Sequence, residues 1–169
     1  VAPPTRSSPR APTTGRCLIF VTPDGQRTMN TFLGASHYLP AEALDRDLIA
    51  NAQYLYLEGY LWDPEEPRAA MREAIDIARA AGRKVAFTLS AEFVIDRHRD
   101  AFHELINAGL IDVLFANEAE IVALTQAADT EGAIAAVKDK VPLLVVTMSE
   151  EGACAITGDQ RVHVPAAPV

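Results

Sequence analysis

The chain has 169 residues, 49% of them hydrophobic, and its 15 Lys and Arg against 23 Asp and Glu leave a net charge of −8. That is enough apolar material for one sizeable core, most simply one domain, so a disordered chain is excluded, and the acid excess argues against sequence-independent attachment to nucleic acid or anionic membrane. No apolar run approaches a membrane span, the first residues lack the hydrophobic region of a signal peptide, and Cys17 and Cys154 read as buried free thiols of a reducing cytoplasm rather than a disulfide or metal pair.

Val1 to Arg16 holds four prolines and three arginines with no periodicity, which predicts an irregular tail. Cys17 to Val21 is a strand, Pro23-Asp24-Gly25 a turn and Arg27 to Leu33 an alternating strand, together a hairpin. In that alternation Met29 and Thr31 face one way and Thr28, Asn30 and Phe32 the other, so neither face is cleanly polar. A ligand-covering lid and a plain peripheral hairpin both fit this pattern.

A short helix over Asp45 to Ala52 precedes a strand over Tyr54 to Leu57, which ends at Glu58-Gly59-Tyr60. Glu58 at a strand end suits either hydrogen bonds from sugar hydroxyls or a solvated loop. Tyr60 and Trp62 suit either stacking on a base or roofing the core. Pro64 to Ala81 is the clearest helix, with Met71, Ile75 and Ala78 on one face and Gly82 ending it. Lys84 to Leu89 is the next strand, with Ser90 at its end. Arg97, His98 and Arg99 form a basic cluster before a helix over His98 to Ala108; phosphate contact and a solvated helix start both remain open for them.

The stretch Val113 to Leu124 runs from an apolar strand directly into a helix, with Asn117 at the cap position and Glu118 and Glu120 in the first turn. A helix start offers unpaired N–H groups and a partial positive end, and in an open α/β sheet this junction lies at the carboxyl edge where ligands bind. Asn117 and Glu120 fit a capping box, and they also fit a polar pair facing a crevice. A further helix over Glu131 to Asp139 leads to Pro142 to Thr147, an unbroken apolar strand of the kind found inside parallel sheets. Thr147 to Gly152 then turns the chain into a second hairpin, with strands over Cys154 to Thr157 and Arg161 to Val164. Strand-helix alternation between hairpins predicts an α/β fold of three layers, α/β/α and Rossmann-like, around a mostly parallel sheet.

Three segments, TLSAEF, VLFANEAEI and VVTMSEEGA, occur in an order that resembles the ribokinase-like (PfkB) family of sugar and nucleoside kinases, over roughly Cys17 to Pro165, and QRTMNTFLGA resembles that family's lid segment. The resemblance implies a tail over 1–16, a lid hairpin over 17–37 and a partial ribokinase-like α/β domain over 38–169. It gives Asn117 and Glu120, the N-x-x-E pair, a role in holding magnesium-bound water and phosphate. Thr147, Ser149 and Gly152 fall on the family's T-x-G-x-x-G nucleotide turn, with Ser149 where glycine is usual, and Ser90 joins them on the nucleotide side. Glu58, Met29, Thr31 and Tyr60 fall on the substrate side.

The cofactors implied are ATP and Mg2+, and the activity implied is phosphoryl transfer to a hydroxyl of a small-molecule substrate. Adenosine is the first expectation, ribose or fructose the alternative, and a non-catalytic nucleotide-binding module the rival of a different class. A homodimer through the lid also fits. The irregular Val1 to Arg16 stands where ordered strands and a Gly-rich substrate region would precede in the family, so the chain is expected to begin partway through a longer family sequence. The family takes its base from the Asp of a G-A-G-D motif, which does not occur here and is expected beyond Val169, so the chain is expected to be inactive alone. Neither a P-loop nor a zinc-like Cys/His spacing replaces it.

Overall fold

A computed structural model describes residues 13–168, and the expected tail therefore lies outside the described residues as far as Pro12. The chain divides into two compact units, Val1–Leu39 and Pro40–Val169. In the first, strands β1 (Arg16–Val21) and β2 (Arg27–Phe32) pair antiparallel, with Ile19 opposite Met29 and Cys17 opposite Thr31. Gly25 closes the turn at φ +81°, a left-handed conformation that glycine adopts without a Cβ penalty. Both strands are exposed along their whole length. A two-stranded ribbon has no interior of its own, and this corrects the expectation for Cys17: its thiol is free but exposed, in contact with the Thr31 hydroxyl at 3.2 Å. Cys154 is free and buried, as expected.

The second unit is a six-stranded sheet in the order β3 (Tyr54–Glu58), β4 (Lys84–Thr88), β5 (Val113–Asn117), β6 (Leu143–Thr147), β7 (Ala153–Thr157), β8 (Gln160–Val164). The pairings from β3 to β6 are parallel and the last two antiparallel. Helices α1 (Arg46–Asn51), α2 (Glu65–Ala80), α3 (Glu92–Asn107), α4 (Glu118–Thr125) and α5 (Thr130–Val137) fill the connections. Because each successive parallel strand is added on the same side of the last, right-handed crossovers put α2, α3 and the α4–α5 pair against one face. Burial follows this. Leu114, Ala116, Leu144, Val146, Cys154 and Ile156 are buried, while Tyr54 and Tyr56 on the opposite side of β3 stay 51% and 55% exposed.

Helix α2 carries its apolar stripe at Ala70, Met71, Ala74, Ile75 and Ala78, all buried, with Glu65 and Glu66 at its positive end and Arg79 in its last turn. Arg79 reaches Asp112 at 3.0 Å, and Asp112 in turn accepts from the Val85 N–H at 2.7 Å, so this pair fixes the start of β4. Helix α3 begins at Glu92, six residues before the expected His98. The buried Val94 and Ile95 anchor that first segment, and His98 is a kink inside the helix, at φ −128° and ψ 20°, rather than its start. Among the described residues no helix is long and apolar enough to cross a membrane.

At the centre of the core, Trp62, Phe87 and Phe102 meet edge to face, with centroids 6.0, 5.7 and 5.3 Å apart. All three are at most 2% exposed, so each contributes its full apolar area together with favourable ring geometry. Phe87→Ala removes the ring that touches both others, and it is expected to lower the unfolding free energy by about 3–5 kcal/mol. The check is the midpoint shift in urea at unchanged denaturant slope.

Candidate functional site

In a parallel sheet every strand ends on the same rim, and here register makes four polar ends neighbours. Glu58 lies opposite Thr88, Thr88 opposite Phe115, and Asn117 opposite Thr147. These ends open into one cavity of about 330 Å³ that is also lined by Tyr60, Ser90 and Glu120. The structure thus brings together six of the residues singled out from the sequence: Glu58, Tyr60, Ser90, Asn117, Glu120 and Thr147. Ser149 and Gly152 sit on the turn that follows Thr147, outside the cavity wall. Met29 and Thr31 lie on β2, in the other unit.

The Asn117–Glu120 pair is a complete capping box. The Asn117 Oδ1 accepts from the Glu120 N–H at 2.8 Å, and the Glu120 carboxylate accepts from the Asn117 N–H at 3.1 Å and from its Nδ2 at 3.0 Å. Being a cap does not remove the pair from the cavity. Glu120 is only 7% exposed, and burial, the largest cause, pushes its carboxyl above the usual carboxylate range; the Asn117 N–H opposes this and the charge of Glu92, at the start of α3, adds to it. A buried carboxylate whose charge is disfavoured by the protein is suited to a cation or a hydrated cation arriving with a ligand.

Glu58 stands on the same side of β3 as Tyr56, whose phenol is pushed up by burial and by the Glu58 charge. Tyr56 and Phe115 meet edge to face at 6.4 Å and form the apolar part of the cavity wall. Ser90 holds φ +71°, a region that favours glycine, and its hydroxyl donates to the Thr88 carbonyl at 3.3 Å. Across from it, Gly59 packs so closely on the next connection that a Cβ would stand 2.5 Å from the Leu89 carbonyl oxygen. Thr88, Tyr56 and Phe115 were not singled out from the sequence. The available signal was the period of two: counting back from Glu58 and Asn117 in steps of two reaches Tyr56 and Phe115, whereas Thr88 needs the register of β4 against β3.

Trp62 is a core residue, so only Tyr60 of that aromatic pair reaches the cavity. Arg97 and His98 turn to Asp63, and Arg99 to Asp96 and the Ala123 carbonyl. On the nucleotide-like turn, Ser149 is at φ +47° and Gly152 at φ +99°, where a Cβ would lie 2.0 Å from the Val164 carbonyl oxygen. The left-handed conformation at Ser149 is one that a glycine would hold at lower cost. Among the described residues no group of three His, Cys, Asp or Glu side chains gathers to hold a metal by itself.

The family model described as pfkB family carbohydrate kinase matches residues 5–169. Among solved structures, the chain is similar to the adenosine kinase from Sinorhizobium meliloti, with 44% identity and a TM-score of 0.88 over 94% of this chain and 48% of that one. It is also similar to a probable sugar kinase protein from Rhizobium etli CFN 42, with 41% identity and a TM-score of 0.87 over 92% of this chain and 47% of that one. A putative ribokinase II from E. coli, in complex with ATP and Mg2+, shares the fold at 23% identity and a TM-score of 0.77 over 90% of this chain and 51% of that one. The chain spans about half the length of these proteins. Among curated proteins none matches it.

The raised Glu120 carboxyl has a signed consequence. Its folded value lies above the ordinary 4.5, so its contribution to stability is present below that value and is lost as pH rises through the folded one. Glu120→Gln carries no charge at any pH; it loses one accepting oxygen, a fixed cost of about 1 kcal/mol. The difference in thermal midpoint between Glu120→Gln and the unsubstituted chain is therefore expected to shift in the variant's favour as pH rises from about 4 to about 8. Midpoints measured across that range check it, and a difference that moves the other way contradicts the burial of this charge.

Proposed function

Since the chain belongs to the pfkB family of carbohydrate kinases, we propose that it forms about half of an ATP- and Mg2+-dependent kinase that phosphorylates a hydroxyl of a nucleoside or sugar, with adenosine as the acceptor. The observation that carries this reading is the row of strand ends Glu58, Thr88, Asn117 and Thr147, which line one cavity together with Glu120. Phosphoryl transfer asks a protein chiefly for positioning and for charge stabilisation, and a rim of polar ends beside a helix start supplies both. The adenosine assignment rests on the 44% identity to an adenosine kinase; the 41% identity to a probable sugar kinase keeps a small sugar such as ribose or fructose as the second reading.

Within this reading Glu58 accepts hydrogen bonds from acceptor hydroxyls and Tyr60 stands beside it. Met29 and Thr31, on the hairpin, keep the acceptor-side role that the resemblance gives them. Thr147 and Ser90 face the nucleotide, and Ser149 and Gly152 shape the turn next to it. Mg2+, when bound, would supply positive charge to offset that of the phosphates, and Asn117 and Glu120 would hold it through its water. The residues present fit it: each Glu120 carboxylate oxygen that accepts from Asn117 retains a lone pair for a metal-bound water, and the buried charge gains a compensating cation. The chain matches 48% of an adenosine kinase, and we assign the base that takes the acceptor proton to the part of such a kinase that it does not match.

The test is a coupled ADP-release assay on the product of the complete reading frame, with Mg·ATP and adenosine, ribose or fructose. Adenosine is expected to give turnover, and Glu120→Gln to lower it roughly 10- to 100-fold, the usual cost of an outer-shell metal partner. Residues 1–169 alone are expected to give none. Preference for ribose or fructose replaces the acceptor assignment, and full activity of Glu120→Gln removes the assigned role of the pair.

A further inference from the structure

Two connections form the lips of the cavity: the 3-10 turn Gly59–Trp62 after β3, which carries Tyr60, and the β4–α3 connection, which carries Ser90. The first lip meets the second, and the opening turns of α3 that continue it, at three levels. At the rim, the Gly59 backbone abuts the Leu89 carbonyl so closely that no side chain fits between them. Next, Tyr60 and Phe93 pack with centroids 6.3 Å apart, although both rings are about half exposed. Farther from the rim, Asp63, the residue that ends the first lip, takes Arg97 on one oxygen at 2.8 Å and His98 Nε2 on the other at 3.1 Å.

The third level coincides with the break in α3. His98 is the residue whose backbone leaves helical geometry, and its other ring nitrogen, Nδ1, lies 3.4 Å from Arg68 Nη1 on α2. With Nδ1 accepting from Arg68, Nε2 carries the proton and donates to Asp63. The guanidinium of Arg97 also lies 5.4 Å from the centre of the Phe93 ring, which links the third level to the second. The helix leaves regular form at the residue whose side chain, together with that of Arg97, reaches one carboxylate on the opposite lip. Burial would raise the Asp63 carboxyl, yet the hydrogen bonds from His98 and Arg97 outweigh it and hold it below its usual value.

We propose that Asp63, Arg97 and His98 form a clasp that fixes the spacing of the two lips, so that Asp63 is a positioning residue for the acceptor side of the cavity. The clasp follows from the geometry alone; its effect on an acceptor rests on the kinase reading above. An unclasped α3 can straighten at His98, which lifts Phe93 away from Tyr60 and widens the cavity at the end where Glu58 and Tyr60 stand. Reacting groups tolerate little misplacement, so the effect belongs in the use of the acceptor more than in fold stability.

Two measurements on the complete gene product separate these claims. Amide exchange in the segment 90–97 is expected to rise about tenfold or more in Asp63→Ala and His98→Ala, with the second half of α3 unchanged and His98→Gln, which keeps a neutral donor, close to the unsubstituted protein. In the phosphotransfer assay the same two alanine variants are expected to raise KM for adenosine about tenfold while KM for Mg·ATP changes by less than about twofold. Unchanged exchange in 90–97, or exchange that rises uniformly along α3, overturns the clasp. A local rise in exchange with no change in KM overturns its role for the acceptor. Absence of phosphotransfer in the unsubstituted protein counts against the kinase reading, and the exchange pattern then decides the clasp by itself.

Discussion

The parallel ladder from β3 to β6 is the constraint from which the rest follows. Parallel pairing sends every strand end to one rim, and the right-handed crossovers that pairing requires put the connecting helices on one side. Polar residues at strand ends thereby become neighbours without being close in sequence. Glu58 and Thr147 are 89 positions apart in the numbering, yet they line one cavity. The apolar interiors of the same strands, with Phe87 packed between Trp62 and Phe102, make that rim stiff.

The cap of α4 shows how a structural device and a chemical one occupy the same atoms. Asn117 and Glu120 satisfy each other's backbone donors, which holds the helix start in place, and the exchange leaves a carboxylate at the cavity with its orientation fixed from two directions. A pair that only capped the helix could sit anywhere on the surface. This one is 7% exposed at Glu120, where its charge is disfavoured unless something positive joins it.

The long-period features were legible in the sequence and the cross-chain ones were not. The helix after Pro64, the apolar strand over Pro142 to Thr147 and the strand-cap-acid order at Asn117 each announce themselves within a dozen residues, and each is found where the pattern puts it. Thr88 was missed because its place beside Glu58 depends on register between strands. The start of α3 was misplaced because the charges at Arg97 to Arg99 look like a helix start in one dimension; in three dimensions they answer Asp63 and Asp96 from inside a helix already under way. Cys17 read as buried because its neighbours are apolar, and a strand reports the hydrophobicity of its faces without reporting whether a second layer covers them.

Cys17 is not alone in lacking a second layer. With the helices of the described residues gathered on one side, the sheet's other side shows Tyr54 and Tyr56, and Val162 and Val164 are exposed on the edge strand β8. Fluorescent dyes that light up on apolar surface are the usual reporters of loosely packed states. These exposed apolar side chains on the outer strands offer such a dye a place on the folded chain, so unfolding is better followed by a probe inside the core, for which Trp62, the sole tryptophan, is already in place.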